Sequence, residues 1–160
     1  MVVLSISQIF AYTEKELIRN DQLSQQAFGF SVDIYANTAL AGAYGSANGF
    51  SSFFTFNGTD WVLQQKVEFT PDYEVMDVGF GYKVIIDGDR AMISAPWDWT
   101  GETLNGAVYY YTFNGTAWVM QQKIIGSIQG GYDDFGIDMA LDGDVLVVGA
   151  SGTDLTPWTS

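Results

Sequence analysis

The sequence predicts an all-β chain of four-stranded antiparallel meanders, repeated about three times over its 160 residues. Three observations predict it. The phrase FNGTDWVLQQKV at 56–67 returns as FNGTAWVMQQKI at 113–124, 57 residues later. A second phrase, FGFSVDIYANTALAGA from Phe28, returns from Phe80 and again from Phe135, with offsets of 52 and 55 residues. Val, Ile, Tyr, Phe, Trp and Thr are abundant, whereas long Ala/Leu/Glu/Lys stretches are missing, which favours strands over helices. A period of 50–57 residues holding four short apolar segments is the signature of a radial β repeat, and each repeat is the size of a β-propeller blade.

The unit from Phe80 shows the plan most completely. YKVII (82–86) is a short β-branched run closed by DGD (87–89), and RAMISA (90–95) follows. An Asp-Gly step between two such runs is a strong two-residue hairpin signal. A loop, PWDWTGETLN (96–105), leads to GAVYYYTF (106–113), and Asn114-Gly115 makes a second hairpin turn into AWVMQQKI (117–124). The unit from Phe28 repeats this, with strands near 30–35, 38–43, 49–56 and 60–67 and turns at Ala36-Asn37 and Asn57-Gly58. The unit from Phe135 supplies two strands, near 137–141 and 145–150. Lys15 precedes Phe28 by 13 residues, as Lys66 precedes Phe80 by 14 and Lys123 precedes Phe135 by 12. QIFAYTEKELIR is therefore expected to be a degenerate fourth strand, with VVLSI as the third strand before it.

The expected organisation is one propeller unit over 1–160. Residues 1–27 supply strands three and four of a split blade, 28–79 and 80–134 are blades, and 135–160 supply strands one and two of the split blade. Three blades do not comfortably close a ring, since known propellers use about four to eight. The chain is expected to be either a partial propeller or half of a six-bladed ring formed by two chains.

Composition bounds the chemistry. Nineteen acidic residues against six basic ones give a net charge of −13, which repels phosphate backbones and anionic lipid heads. No nucleic acid and no membrane insertion are expected, and no apolar run approaches the length of a membrane helix. The chain has no cysteine, so it has neither disulfides nor thiolate metal sites, and no histidine, which removes the usual general base and any Ser-His-Asp triad. The first residues lack a basic n-region and a long apolar core, so no signal peptide is expected within this sequence.

The recurring phrases resemble the FG-GAP repeat family, known from the propeller heads of integrin α-subunits. Phe28-Gly29, Phe80-Gly81 and Phe135-Gly136 match the first half of the family phrase. Gly42-Ala43-Tyr44, Ser94-Ala95-Pro96 and Gly149-Ala150-Ser151 match the second half imperfectly, and GAVYYYTFNGTAWVMQQK looks like the bacterial-style variant of the repeat. The resemblance covers 28–150 well and 1–27 weakly. It implies a β-propeller working outside the cell or at its surface, as a binding or adhesion module.

Small residues of the Gly-Ala pair suit strands crowding near a propeller axis, and the Gly of Phe-Gly suits a positive φ angle or a close backbone approach. Trp61, Trp118, Phe28, Phe80 and Phe135 suit the space between blades.

The resemblance also suggests calcium, but the equivalent positions hold YAN (35–37) and DGD (87–89 and 142–144), turns too short to wrap roughly six to eight oxygens around one ion. No metal and no cofactor are expected there. Asn57-Gly58-Thr59 and Asn114-Gly115-Thr116 fit the N-glycosylation sequon and equally fit bare hairpin turns, Asn-Gly being the best type I′ pair.

The candidate ligand site is the propeller face that gathers the connections from strand two to strand three and the links between blades. It is expected to hold Tyr44, Ser46, Asn48, Trp97, Asp98, Trp99, Glu102, Asn105, Thr153, Asp154 and Trp158, with Asp72, Tyr73, Glu74, Asp77, Tyr132, Asp133 and Asp134 from the links. Exposed aromatics beside carboxylates and amides form a platform for a sugar or peptide, although Trp97 and Trp99 would equally pack under their own loop or against a neighbouring blade.

The function expected is therefore non-enzymatic binding of a protein or glycan on this face. The alternative is a structural unit that assembles through blade-to-blade and chain-to-chain contacts, by self-association or with further blades of a longer chain. A glycoside hydrolase using Asp98, Glu102 and Asp134 is the third reading, and nothing in their spacing separates it from a solvated acidic rim.

Overall fold

Short β-branched and aromatic runs separated by tight turns leave the backbone one way to pair its N–H and C=O groups, which is with the next run in an antiparallel meander. The computed structural model describes residues 2–8, 11–17, 27–45, 49–70, 78–100, 103–127 and 131–152. Among them there is no helix. One four-stranded sheet runs β3 (Ser31–Tyr35), β4 (Thr38–Ala43), β5 (Phe50–Phe56), β6 (Trp61–Glu68), paired in that order. A second contains β7 (Val84–Asp87), β8 (Arg90–Ala95), β11 (Ala107–Phe113) and β12 (Trp118–Ile124), again paired in chain order. Two further antiparallel pairs are β1 (Val2–Gln8) with β2 (Ala11–Leu17), and β13 (Met139–Asp142) with β14 (Val145–Val148). The chain is all-β, and its four-stranded sheets have the build of propeller blades.

Strand bounds fall within about two residues of those expected, except that the strand expected from Gln8 starts at Ala11, Gln8 being the last residue of β1. Two details of the turns differ from expectation. The segment 96–105 is not a plain loop, because it carries a small hairpin of β9 (Trp99–Thr100) and β10 (Thr103–Leu104). The Asn-Gly turns are not two-residue type I′ turns. Phe56 pairs with Trp61 and Phe113 with Trp118, so four residues intervene in each. Asn57 Oδ1 accepts hydrogen bonds from the backbone N–H of Thr59 (3.0 Å) and Asp60 (2.8 Å), and Asn114 Oδ1 does the same with Thr116 and Ala117. The asparagine side chain thus closes the turn itself, a competing arrangement open to Asn but hidden in a dipeptide pattern.

The repeat phrases have a mechanical reason. In all three units the N–H of the Phe-Gly glycine donates to the carbonyl of the residue opening the Gly-Ala or Ser-Ala pair: Gly29 to Gly42 (2.8 Å), Gly81 to Ser94 (2.9 Å) and Gly136 to Gly149 (2.9 Å). One half of the phrase therefore holds the other. Small residues are also required between sheets, since a Cβ on Gly42 would lie 2.0 Å from the Gly81 carbonyl oxygen at the start of the next unit.

The core lies mainly between sheets. Leu40, Phe53 and Val67 of the first four-stranded sheet pack with Phe80, Val84, Ile86, Ile93, Tyr109 and Trp118 of the second in one buried cluster. Trp118 stacks on Phe53 with ring centroids 4.3 Å apart and planes 9° apart, filling the space between sheets as expected of it. Its backbone is gripped by Gln65, whose Oε1 accepts from Trp118 N–H (2.7 Å) and whose Nε2 donates to Trp118 C=O (2.9 Å). The other face of the second sheet, through Met92 and Val108, packs on Met139, Leu141, Leu146 and Val148. Consecutive units thus stack in one sense, one face always meeting the opposite face of the next.

Along the inner edge, first strands meet. Ser31 Oγ and Asp33 Oδ2 on β3 accept from the backbone N–H of Val84 (3.0 Å) and Ile86 (2.9 Å) on β7. Between β7 and β13 the tie is ionic, Lys83 Nζ to Asp138 Oδ1 at 2.8 Å. Arg90 reaches from the β7–β8 turn to Asp144 Oδ1 (2.8 Å) and Gly143 O (3.0 Å) in the next turn.

Candidate functional site

First strands begin, and second strands end, on the same face of the stacked sheets, so residues just before β3 and β7 meet residues just after β4 and β8. Four aromatic side chains converge there. Phe30 lies 4.5 Å from Tyr44 and 5.1 Å from Tyr82, centroid to centroid. Tyr44 lies 5.2 Å from Tyr82 and 5.9 Å from Trp97, and Tyr82 lies 5.5 Å from Trp97. Most of these contacts are edge-to-face, the arrangement ring quadrupoles favour. Trp97 is seated on the inter-unit link, because a Cβ on Gly79 would come within 2.7 Å of its ring. Its N–H donates to the carbonyl of Val78 (3.1 Å). Phe30 remains 52% exposed, whereas Tyr44, Tyr82 and Trp97 are half-buried.

Tyr44 and Trp97 were expected on this face, and the structure brings their rings together. Phe30 and Tyr82 were missed. Their signal was available: both occupy the position two residues after the Phe of Phe-Gly, and both are aromatic.

A second neighbourhood forms where the 96–106 segment meets the 131–135 link. Asn105 Oδ1 accepts from Gly131 N–H (3.0 Å), Asn105 C=O accepts from Phe135 N–H (2.9 Å), and Asn105 Nδ2 donates to Thr103 Oγ1 (2.7 Å). Asp98 lies beneath the segment, 2% exposed, where Tyr109 Oη donates to Oδ2 and Lys123 Nζ pairs with it at 2.8 Å. Lys123 Nζ also donates to Trp99 C=O (3.3 Å). Asp98 is buried but Lys123 is exposed, so solvent screens the ion pair, and the Tyr109 bond and the Lys123 contacts together pin the segment. Asp98 and Asn105 are buried with their partners inside the protein, and among the described residues the side chains open to solvent here are chiefly Tyr132 and Thr103 and, in part, Asp134 and Trp99. Tyr132 and Asp134 both adopt positive φ, 61° and 54°, on either side of the buried Asp133. Asp134 Oδ2 accepts from Ser151 Oγ at 3.3 Å.

Asp138 is held below the usual carboxylate range by the hydrogen bond from Lys83 and then by the N–H of Met139. Among the described residues no cluster of acidic side chains could hold a metal ion. Asn57 and Asn114 are exposed at their turns. Ser46, Asn48, Asp72, Tyr73, Glu74, Asp77, Glu102, Thr153, Asp154 and Trp158 lie outside the described residues.

Residues 118–157 match the family model of the FG-GAP repeat. Over this stretch the chain is similar to the FG-GAP repeat. The matched stretch runs from β12 through the link to β13 and β14, so the family unit is offset from a blade, joining the last strand of one sheet to the first two of the next. No curated protein matches the chain. Among the described residues no helix is long and apolar enough to cross a membrane.

Proposed function

We propose that the chain is a non-enzymatic binding or adhesion module of an extracellular or cell-surface protein, taking a protein or glycan ligand on the face where the aromatic cluster lies. FG-GAP repeats support a propeller-type module of this kind. The observation that carries the reading is the cluster of Phe30, Tyr44, Tyr82 and Trp97, drawn from two blades and left partly open. A ligand ring or apolar side chain laid on Phe30 and Tyr44 would bury apolar area on a rigid base, and the tyrosine hydroxyls would supply hydrogen bonds at its rim.

The test is binding of the purified chain to panels of glycans and matrix proteins. Phe30→Ala and Tyr44→Ala should each weaken capture of a hit by about tenfold or more, the loss expected for a hot-spot aromatic. Val62→Ala, on the outer strand β6, should leave it unchanged. Absence of any hit, or equal binding by all variants, would refute the reading. The second reading, a unit that assembles through its blades, is favoured by apolar positions left open at the two ends of the stack.

A further inference from the structure

Repeat equivalence makes the exposure of individual side chains interpretable. Val32 and Ile34 on β3 are 45% and 50% exposed, yet their equivalents on β7, Val84 and Ile86, are 2% and 4% exposed. Val147 on β14 is 63% exposed, while its equivalents Met92 and Leu40 are 7% and 0% exposed. The first difference leaves open the β3 part of the face of the first sheet that would meet a preceding unit, while Ala39, Ala41 and Phe54 on that same face are 0–1% exposed. The second leaves open the opposite face, at the far end of the stack. The two open faces are of the kinds that meet twice inside the chain, where Leu40 packs in one cluster with Ile86, and Met92 with Leu141.

The backbone adds an independent observation. Among the described residues β14 pairs only with β13, and β1 only with β2. The β1 and β2 strands are seven residues each, the length of the third and fourth strands β5, β6, β11 and β12 at seven or eight. The β13 and β14 strands are four residues each, close to the first and second strands β7 and β8. Thirteen residues separate β2 from β3, against fifteen between β6 and β7 and fourteen between β12 and β13. A third orphan agrees. Trp118 Nε1 donates to Gln64 on the outer strand of the preceding sheet (3.3 Å), but its equivalent, the buried Trp61 Nε1, has no hydrogen-bond partner among the described residues.

We infer that two copies of this chain close on one another by strand complementation. β1 of one copy pairs antiparallel with the open edge of β14 of the other, completing a four-stranded blade in the order β13, β14, β1, β2. The Val32 and Ile34 face of the first copy then covers Val147 of the second, as Ile86 covers Leu40 within one chain. The outer strand β2 comes to lie beside Trp61, where Gln64 lies beside Trp118. Applied twice about a two-fold axis, the exchange uses both open faces and both open edges and leaves none, giving about six blades, within the range that propellers adopt. An unpaired edge is otherwise a template for uncontrolled pairing, which closure removes.

The chain contains no cysteine, so a chosen pair can be tested without background. A chain carrying both Ile34→Cys and Val147→Cys, mildly oxidised, should form a covalent pair that runs at twice the chain mass on a non-reducing gel. Either single variant should form much less. Native mass spectrometry of the unmodified chain should give twice the chain mass, and Val147→Asp should shift dissociation by at least tenfold, with an unchanged far-ultraviolet circular dichroism spectrum. Val62→Asp, exposed and one residue from Trp61 on β6 and so on the opposite face of that strand, should remain paired. A single-chain mass at all concentrations would overturn the inference. So would equal effects of Val147→Asp and Val62→Asp, or a source protein in which a longer chain covers both faces from within. Should Val147→Asp unfold, the cysteine pair still decides, since neither substitution introduces a charge.

Discussion

The grip of Gln65 on Trp118 is the contact by which one sheet fixes the height and register of the next, and replacing it gives a sharp test. Gln65→Ala removes two hydrogen bonds to the backbone of a residue only 4% exposed. Each such bond contributes about 0.5–1.5 kcal/mol, and a buried donor or acceptor left unmade costs about 1–3 kcal/mol. The expected loss is therefore about 2–4 kcal/mol, read as a fall in the urea midpoint with unchanged slope. Gln65→Glu separates the two bonds. Its carboxylate can still accept from Trp118 N–H but sets an acceptor against Trp118 C=O, so neutral pH should be as damaging as alanine. This facing pair holds the introduced carboxyl above its ordinary titration range in the folded state. The folded state then binds the proton more tightly than the unfolded one, so part of the loss should return as pH falls through the folded value. Gln121→Ala is the control, because Gln121 is exposed and donates only along its own strand to Val119 C=O (3.1 Å); its effect should stay within about 0.5 kcal/mol. If Gln65→Ala costs less than about 0.5 kcal/mol, the grip is incidental and the junction is held by its other contacts, the apolar cluster and the Ser31 and Asp33 bonds.

Gly81→Ala places a Cβ 2.5 Å from Phe50 O and 2.9 Å from Ala43 N at a φ of +90°, and neither backbone atom can yield. A loss of about 3 kcal/mol or more is expected, whereas Gly88→Ala, with open space around it, should cost about 1 kcal/mol, the measure again being the urea midpoint. Burial raises the titration of the Tyr111 phenol above its ordinary value. Its contribution is whole below the unfolded value of about 10 and is lost as pH rises through the folded value, so Tyr111→Phe should show a smaller alkaline loss of stability in pH-dependent unfolding.

Strand identity follows from side-chain type at spacing two and from turn residues, both local, so Val84–Asp87 or Thr38–Ala43 could be placed within a residue or two. The Asn-Gly turns differ from the two-residue expectation because the Asn side-chain oxygen can accept backbone N–H groups of the turn instead of the residue adopting a positive φ, and a dipeptide does not reveal which occurs. At the site, chain order correctly brought Tyr44 near Trp97 but placed Asp98 in the open. The residues that bury it, Tyr109 and Lys123, come from the third and fourth strands, eleven and twenty-five residues away. Hydropathy makes Asp98 a surface residue; only the partners folded over it make burial tolerable.

By itself, then, the sequence determined the all-β class, the order of strands within each meander, the repeat that makes units equivalent, and a chemistry without thiol or imidazole. These depend on local backbone pairing and on which side-chain types are present. Tertiary structure alone decided which face of one sheet meets which face of the next, that Gln65 and Trp118 lock across that junction, and that Phe30 joins Tyr44, Tyr82 and Trp97. Such contacts link residues 14 to 53 positions apart, and their closeness is set by the stacking of sheets and not by any pattern along the chain.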